Sequence, residues 1–183
     1  MTRDHLLQPD LVVPGSILQL QAEPLLAAGL QGLILDVDET LVPTMSREIS
    51  EELRHWIAEM KQSFSLWLVS NNLSQSRIGA IAAALDLPYF LAARKPSRRK
   101  IRQAAEEMGL DLERVGVVGD RLFTDVLAGN RLGVFTVLVE PMVLPSSLPR
   151  SHWWRNLEVQ ISRVLGAKLH PSPLPTRGML SKS

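Results

Sequence analysis

Two aspartates one residue apart, Asp36 and Asp38, close an apolar run in the stretch LILDVDETLVP (33–43), and Thr40 follows at once. Like charges this close repel, so the pair calls for a positive partner or for chemistry that uses it. Three other places along the chain hold complementary groups. Ser70 with Asn71 and Asn72 closes FSLWLVS, Arg94 and Lys95 follow YFLAA, and Asp120, with Thr124 and Asp125 just beyond it, closes VGVVGD. Together these are the groups expected of a site for phosphate and a divalent cation. Side chains two apart on an extended backbone share a side, which puts Asp36 and Asp38 together. A cation would relieve their repulsion, an all-oxygen set favours magnesium, and Asp120 arrives as a further ligand from another strand. A carboxylate can attack phosphorus and form an acyl phosphate. A second carboxyl can protonate the leaving oxygen and then take a proton from water. Thr40 and Ser70 can donate hydrogen bonds to phosphoryl oxygens, and Lys95 supplies fixed positive charge.

These groups must be brought together by the elements that carry them. Four apolar runs, 32–38, 64–70, 115–120 and 134–140, read as strands, with a weaker one at 89–94. Continuous rather than alternating runs suit a parallel sheet covered on both faces. Helical periodicity lies between them: Ile49, Leu53, Trp56, Ile57 and Met60; then Ile78, Ile81, Ala82 and Leu85; then Ile101, Ala104, Ala105 and Met108, with Gly109 as a stop. The alternation predicts an α/β fold, a three-layer open parallel sheet. In such sheets ligands bind beyond the carboxyl ends of the strands, which is where all of these polar groups stand.

The ordered set DVDET, Ser70, Lys95 and GDRLFTD resembles the four motifs of haloacid-dehalogenase-type phosphatases. The longer strings VSNN, ARKPSRRKI and GDRLFTDVLAGNRLG are similar to one subgroup, the YqeG-like phosphatases, which includes phosphatidylglycerophosphate phosphatases. The similarity runs over about residues 5 to 145. It implies that Asp36 is the nucleophile and Asp38 the general acid and base. It further implies that Asp36, the Asp38 carbonyl and Asp120 hold Mg2+ with Asp125 in support, and that Thr40, Ser70, Asn71 and Lys95 hold phosphate. Neither the interval from Asp36 to Ser70 nor that from Ser70 to Lys95 has room for a folded cap, so the site should be open. A phosphorylated lipid head group suits such a site and phosphatidylglycerophosphate is the expected substrate. A sugar, nucleotide or protein phosphate, or an assembly-associated binding module with weak hydrolase activity, are the competing readings. A calcium loop is excluded, since Leu41 and Arg47 stand where it needs Gly and Glu. A receiver domain is disfavoured because its lysine comes late, whereas Lys95 precedes the Gly119–Asp120 pair.

The rest of the chain sets bounds. It has 183 residues, 45% apolar, and a net charge of +1, which makes no strong case for nucleic acid. With no cysteine there is no disulfide or thiolate metal site. No apolar run approaches the roughly 20 residues of a membrane span, and the first residues lack the pattern of a signal peptide, so the expected location is cytoplasmic, with peripheral contact at a membrane. Residues 1–30 are expected to pack on a phosphatase core at 31–145, with helical turns between Ile17 and Ala28 that Pro24 breaks or restarts. Residues 146–169 read as an amphipathic helix carrying Trp153 and Trp154, and 170–183 as a disordered tail. That helix and the six cations of 93–102 are the candidates for membrane contact; a packed helix and a solvated helix face are their plainer readings.

Overall fold

The computed structural model describes residues 6–142; the amphipathic segment and tail expected at 146–183 lie outside the described residues. Six parallel strands form one sheet in the order β1-β6-β5-β2-β3-β4. They are β1 (Leu11–Val12), β2 (Gly32–Leu35), β3 (Ser65–Val69), β4 (Tyr89–Phe90), β5 (Val115–Gly119) and β6 (Phe135–Leu138). The helices are α1 (Ala22–Ala27), α2 (Glu51–Met60), α3 (Gln75–Leu85), α4 (Arg99–Glu107) and α5 (Leu127–Leu132).

Both faces of the sheet are covered, and the strands show it residue by residue. In β2, Leu33 and Leu35 belong to one apolar cluster with Leu25, Leu53, Ile57, Ile78 and Ile81, so α1, α2 and α3 lie on that face. Ile34 belongs to a second cluster with Ile101, Ala104, Ala105 and Ala128, which puts α4 and α5 on the other. This is the three-layer arrangement expected from unbroken apolar strands. Local signals fix the helix ends. Ser50 and Ser74 cap α2 and α3 by accepting from the N–H groups of Leu53 and Arg77 (3.2 and 3.3 Å). Gly109, at φ +67°, follows α4 in a left-handed conformation that favours glycine.

Two elements go beyond the sequence pattern. The first is β1, an edge strand of two residues paired with β6, too short to show a period. Behind it, Ile17, Leu20 and Leu25 are buried in the core, and Pro24 sits in the first turn of α1, where its missing N–H costs nothing. The second is a π-helical turn, Leu122–Val126, running straight into α5. Across the sheet the chain passes from β2 to β3 and β4 on one side, then crosses to β5 and β6 on the other. The reversal in strand order therefore falls at β2, the position that opens a crevice at the carboxyl edge.

Candidate active site

Beyond Leu35 the Asp36 N–H still donates to the Val118 carbonyl (2.9 Å), and the chain then closes one tight turn. The N–H groups of Leu41 and Val42 both donate to the Val37 carbonyl (3.0 and 3.2 Å), with Glu39 held at φ 65°. Asp36 stands just before this turn and Asp38 within it. Both line one cavity of about 140 Å3, together with Thr44, Asn71, Lys95, Arg121 and Thr124, but they have different partners.

Asp36 belongs to a buried acidic cluster. Lys95 Nζ lies 2.6 Å from Asp36 Oδ1 and 2.6 Å from Asp125 Oδ1. The Thr40 hydroxyl faces Asp36 Oδ2 at 3.3 Å and Asp120 Oδ1 at 3.0 Å. One hydroxyl proton is thus shared between two carboxyls. The carboxyl oxygens of Asp36, Asp120 and Asp125 approach within 4.8 Å of one another, and all three residues are buried. Burial pushes Asp36 up to about 6, with Lys95 opposing the shift and Asp125 adding to it. Asp120 is pushed up to about 8, by burial first and then by the charges of Asp36 and Asp125. For Lys95, burial disfavours the charge, but Asp125 and Asp36 outweigh it and hold the ammonium above the usual lysine range. Gly119 makes room for this cluster, because a Cβ there would run into the Asp125 carboxylate.

Asp38 faces the opposite wall. Its Oδ1 accepts from Arg77 Nη1 at 2.6 Å; its Oδ2 accepts from Asn72 Nδ2 at 3.2 Å and Ser70 Oγ at 3.4 Å. Arg77 comes from the first turn of α3, is itself buried, and also donates to the carbonyls of Ser46 (2.9 Å) and Pro43 (3.1 Å). One guanidinium therefore fixes Asp38 and the loop that follows it.

The architecture and the sequence find relatives. A crystal structure of an uncharacterized protein from Listeria monocytogenes serotype 4b superposes with a TM-score of 0.52 at 16% identity, over 66% of this chain and 85% of that one, which is a likeness of fold. Residues 92–141 match the HAD-hydrolase-like family model. The Bacillus subtilis (strain 168) protein "Probable phosphatase YqeG" is 36% identical over 156 residues, 85% of this chain and 90% of that protein. The chain belongs to the YqeG family of haloacid-dehalogenase-like phosphatases. A "Phosphatidylglycerophosphate phosphatase 1, chloroplastic" of Chlamydomonas reinhardtii is 31% identical over 147 residues, 75% of this chain but 52% of that longer protein.

The haloacid-dehalogenase fold implies a divalent metal ion, and the residues present fit one. The three buried acids offer only oxygen donors, as a hard cation prefers. Their charges exceed that of Lys95 by two once all are ionised, and the charges of Asp36 and Asp125 add to the rise that burial gives Asp120. Asp36, Asp120 and Asp125 would hold the ion; the ligand expected of Asp38 is its backbone carbonyl, and its carboxylate pairs with Arg77.

Of the residues singled out by sequence, the YqeG-family site gathers all eight at one edge, in two groups. Asp36, Thr40, Lys95, Asp120 and Asp125 form one; Asp38 and Ser70 form the other. Asn71 supports the first from outside: its Oδ1 accepts the Lys95 N–H at 2.7 Å and its Nδ2 donates to the Lys95 carbonyl at 3.2 Å, clamping that residue's backbone. Thr40 and Ser70 are fully buried, with their hydroxyls directed to aspartates. Arg77, Thr44 and Arg121 are absent from the sequence reading. Arg77 carried one usable signal: it interrupts the apolar face of α3 one residue before Ile78. Arg121 pairs with Glu39 (3.1 Å), bridging the loops after β2 and β5, and no local pattern announces that pairing.

Proposed function

We propose that the protein is a metal-dependent phosphomonoesterase that works through an acyl phosphate on Asp36, and that it acts on a phosphorylated lipid head group. The observation that carries the chemistry is the contact between Asp36 and Lys95, 2.6 Å apart inside a buried cluster of acids. Lys95 offsets the burial of Asp36, so a carboxyl near 6 is largely ionised at neutral pH and available as a nucleophile. An Asp36 oxygen bonds to phosphorus as the phosphorus–oxygen bond to the leaving group breaks. The departing oxygen takes a proton from the Asp38 carboxyl. Asp38 Oδ1 is committed to Arg77, whereas Oδ2 has only neutral partners at longer range, so Oδ2 is the oxygen suited to carry that proton. In the second step Asp38 takes a proton from water, the water oxygen bonds to phosphorus, and the Asp36 carboxylate leaves with inorganic phosphate released. Lys95 counters negative charge on the phosphoryl oxygens during both steps. A magnesium ion bound by Asp36, Asp120 and Asp125 would supply further positive charge beside those oxygens.

The size of the cavity bears on the substrate. About 140 Å3 is the room of roughly five water molecules at ~30 Å3 each. A phosphoryl group enters; the remainder of the substrate stays outside, as suits a head group presented at a surface. The Chlamydomonas relative's name supports the same class. Asp36→Asn should lower hydrolysis of a soluble aryl phosphate in the presence of Mg2+ by at least about 1000-fold, the scale of losing a covalent nucleophile. Turnover that persists in this variant would refute Asp36 as the nucleophile. Comparing phosphatidylglycerophosphate in micelles with sugar, nucleotide and peptide phosphates tests the lipid; a preference for any soluble member would remove it.

A further inference from the structure

Two apolar side chains that the core does not use lie on loops that also line the cavity. Among the described residues the exposed large hydrophobics are Met45 (90% exposed), Leu73 (76%) and Leu26 (48%). Leu26 lies on α1, which leads into the amino end of β2, away from the site. Met45 follows Thr44 directly and Leu73 stands two residues beyond Asn71, and both Thr44 and Asn71 line the cavity.

Each of the two sits at the apex of a closed turn. The Ser46 N–H donates to the Pro43 carbonyl at 2.8 Å, which puts Met45 inside a four-residue turn. The Ser74 N–H donates to Asn72 Oδ1 at 2.8 Å, closing an Asx turn around Leu73. Arg77 then ties both turns together: it bonds the carbonyls of Pro43 and Ser46, and its own N–H reaches Ser74 Oγ. The two tips are held outward by hydrogen bonds rather than left loose. Singly exposed apolar side chains are ordinary, but two of them, at turn apices tied to one arginine beside a cavity, make a pair that a single partner can cover.

Charge indicates what covers them. Arg47 follows the first turn and Arg94 precedes Lys95; both are exposed, and neither makes an ion pair among the described residues. In the loops 39–49, 70–74 and 91–98 the exposed acid is Glu48. We propose that the rim formed by Met45, Leu73, Arg47 and Arg94 docks on an anionic lipid bilayer, with the two apolar tips entering the interface and the cavity mouth facing the head groups. The proposal rests on the lipid-phosphate reading and extends it, since it states how a cavity that admits only a phosphoryl group meets a substrate embedded in a membrane. Apolar burial and attraction of the arginines to anionic head groups act together, as interfacial binding requires.

The test uses the full chain and two kinds of vesicle, phosphatidylcholine alone and phosphatidylcholine with phosphatidylglycerol. The wild type should sediment with the anionic vesicles, and the double variant Met45→Ser, Leu73→Ser should bind them at least about tenfold more weakly, the scale of two exposed apolar side chains. Arg47→Gln with Arg94→Gln should abolish the preference for anionic over neutral vesicles. Hydrolysis of a soluble aryl phosphate by the Met45/Leu73 variant should equal that of the wild type, which also shows that the variant folds. Equal vesicle binding by wild type and that variant would overturn the proposal. So would concentration-dependent self-association that the variant loses, since a second copy would then be the occupant. Hydrolysis of phosphatidylglycerophosphate in the vesicles is read separately: rim-dependent binding without it leaves the docking surface standing and removes the lipid substrate.

Discussion

Asp120 is the residue whose ionisation is most at odds with its surroundings. In the metal-free protein its carboxyl is pushed up to about 8 from the ordinary 3.8. Between those values the folded protein binds more protons than the unfolded chain, so the contribution of Asp120 to stability is fully present below 3.8 and is lost as pH rises through about 8. Metal binding needs the ionised form, so Mg2+ affinity should climb across the same interval. Asp120→Asn cannot ionise. Thermal melts above pH 8 without metal should find this variant more stable than the wild type, and added Mg2+ should raise the wild type's Tm but not the variant's. An Asn variant that answers to pH and Mg2+ as the wild type does would show that Asp120 is not the source. Arg77 poses a separate question, because it is not among the residues lining the cavity and its guanidinium holds Asp38. Arg77→Lys keeps a charge but loses the fork that grips Asp38, Pro43 and Ser46 together. With a soluble aryl phosphate, kcat should fall by about tenfold or more while KM stays within about twofold, as expected when an interaction needed in the transition state is weakened. Unchanged kcat would make Arg77 a purely structural residue.

At the scale of elements, the end of β5 and the π-helical turn after it form one device. The turn brings Asp125 back over Gly119, so the strand must end in a residue without a Cβ. Gly119→Ala should push the Asp125 carboxylate off Lys95. The expected cost is about 1–3 kcal/mol of stability from overpacking, together with loss of the Mg2+-dependent rise in Tm. Denaturant unfolding with and without Mg2+ measures both, and retention of the metal response would show that the cluster tolerates the shift. The loop after β2 has a comparable role. Its tight turn at Val37–Val42 sends Asp36 inward and Asp38 across to Arg77, so two carboxylates one residue apart reach different partners.

On the scale of the whole molecule, the sheet is completed by a strand from the start of the chain. Asp10 secures it: its Oδ2 accepts from the Thr136 N–H at 2.8 Å and from the Thr136 hydroxyl at 3.0 Å, while β1 pairs with β6. Asp10→Ala should cost about 1 kcal/mol, the net worth of such hydrogen bonds at a partly solvated edge. It should leave kcat for a soluble phosphate unchanged, because this edge lies on the far side of β6 and β5 from the β2–β3 junction. A loss of activity larger than the loss of stability would mean that the edge strand positions the site. Among the described residues no helix is long and apolar enough to cross a membrane.

The sequence alone determined the central strands, three of the helices and the edge on which chemistry collects. Unbroken apolar runs such as Gly32–Leu35 and Val115–Gly119 have one stable environment, the middle of a covered parallel sheet, and whatever follows them emerges at its carboxyl edge. The helices at 51–60, 75–85 and 99–107 announced themselves by their apolar period. Local pattern could not supply the contacts between residues distant in sequence. Arg77 meets Asp38 across 39 positions and Arg121 meets Glu39 across 82, and neither pairing leaves a trace in the neighbouring residues. The two-residue β1 has no period to read, and the π-helical turn departs from the 3.6-residue repeat on which helix reading depends. Which carboxylates cluster around Lys95, and which one pairs with an arginine, was decided only in the folded state, because those energies depend on burial and on distances that chain order does not encode.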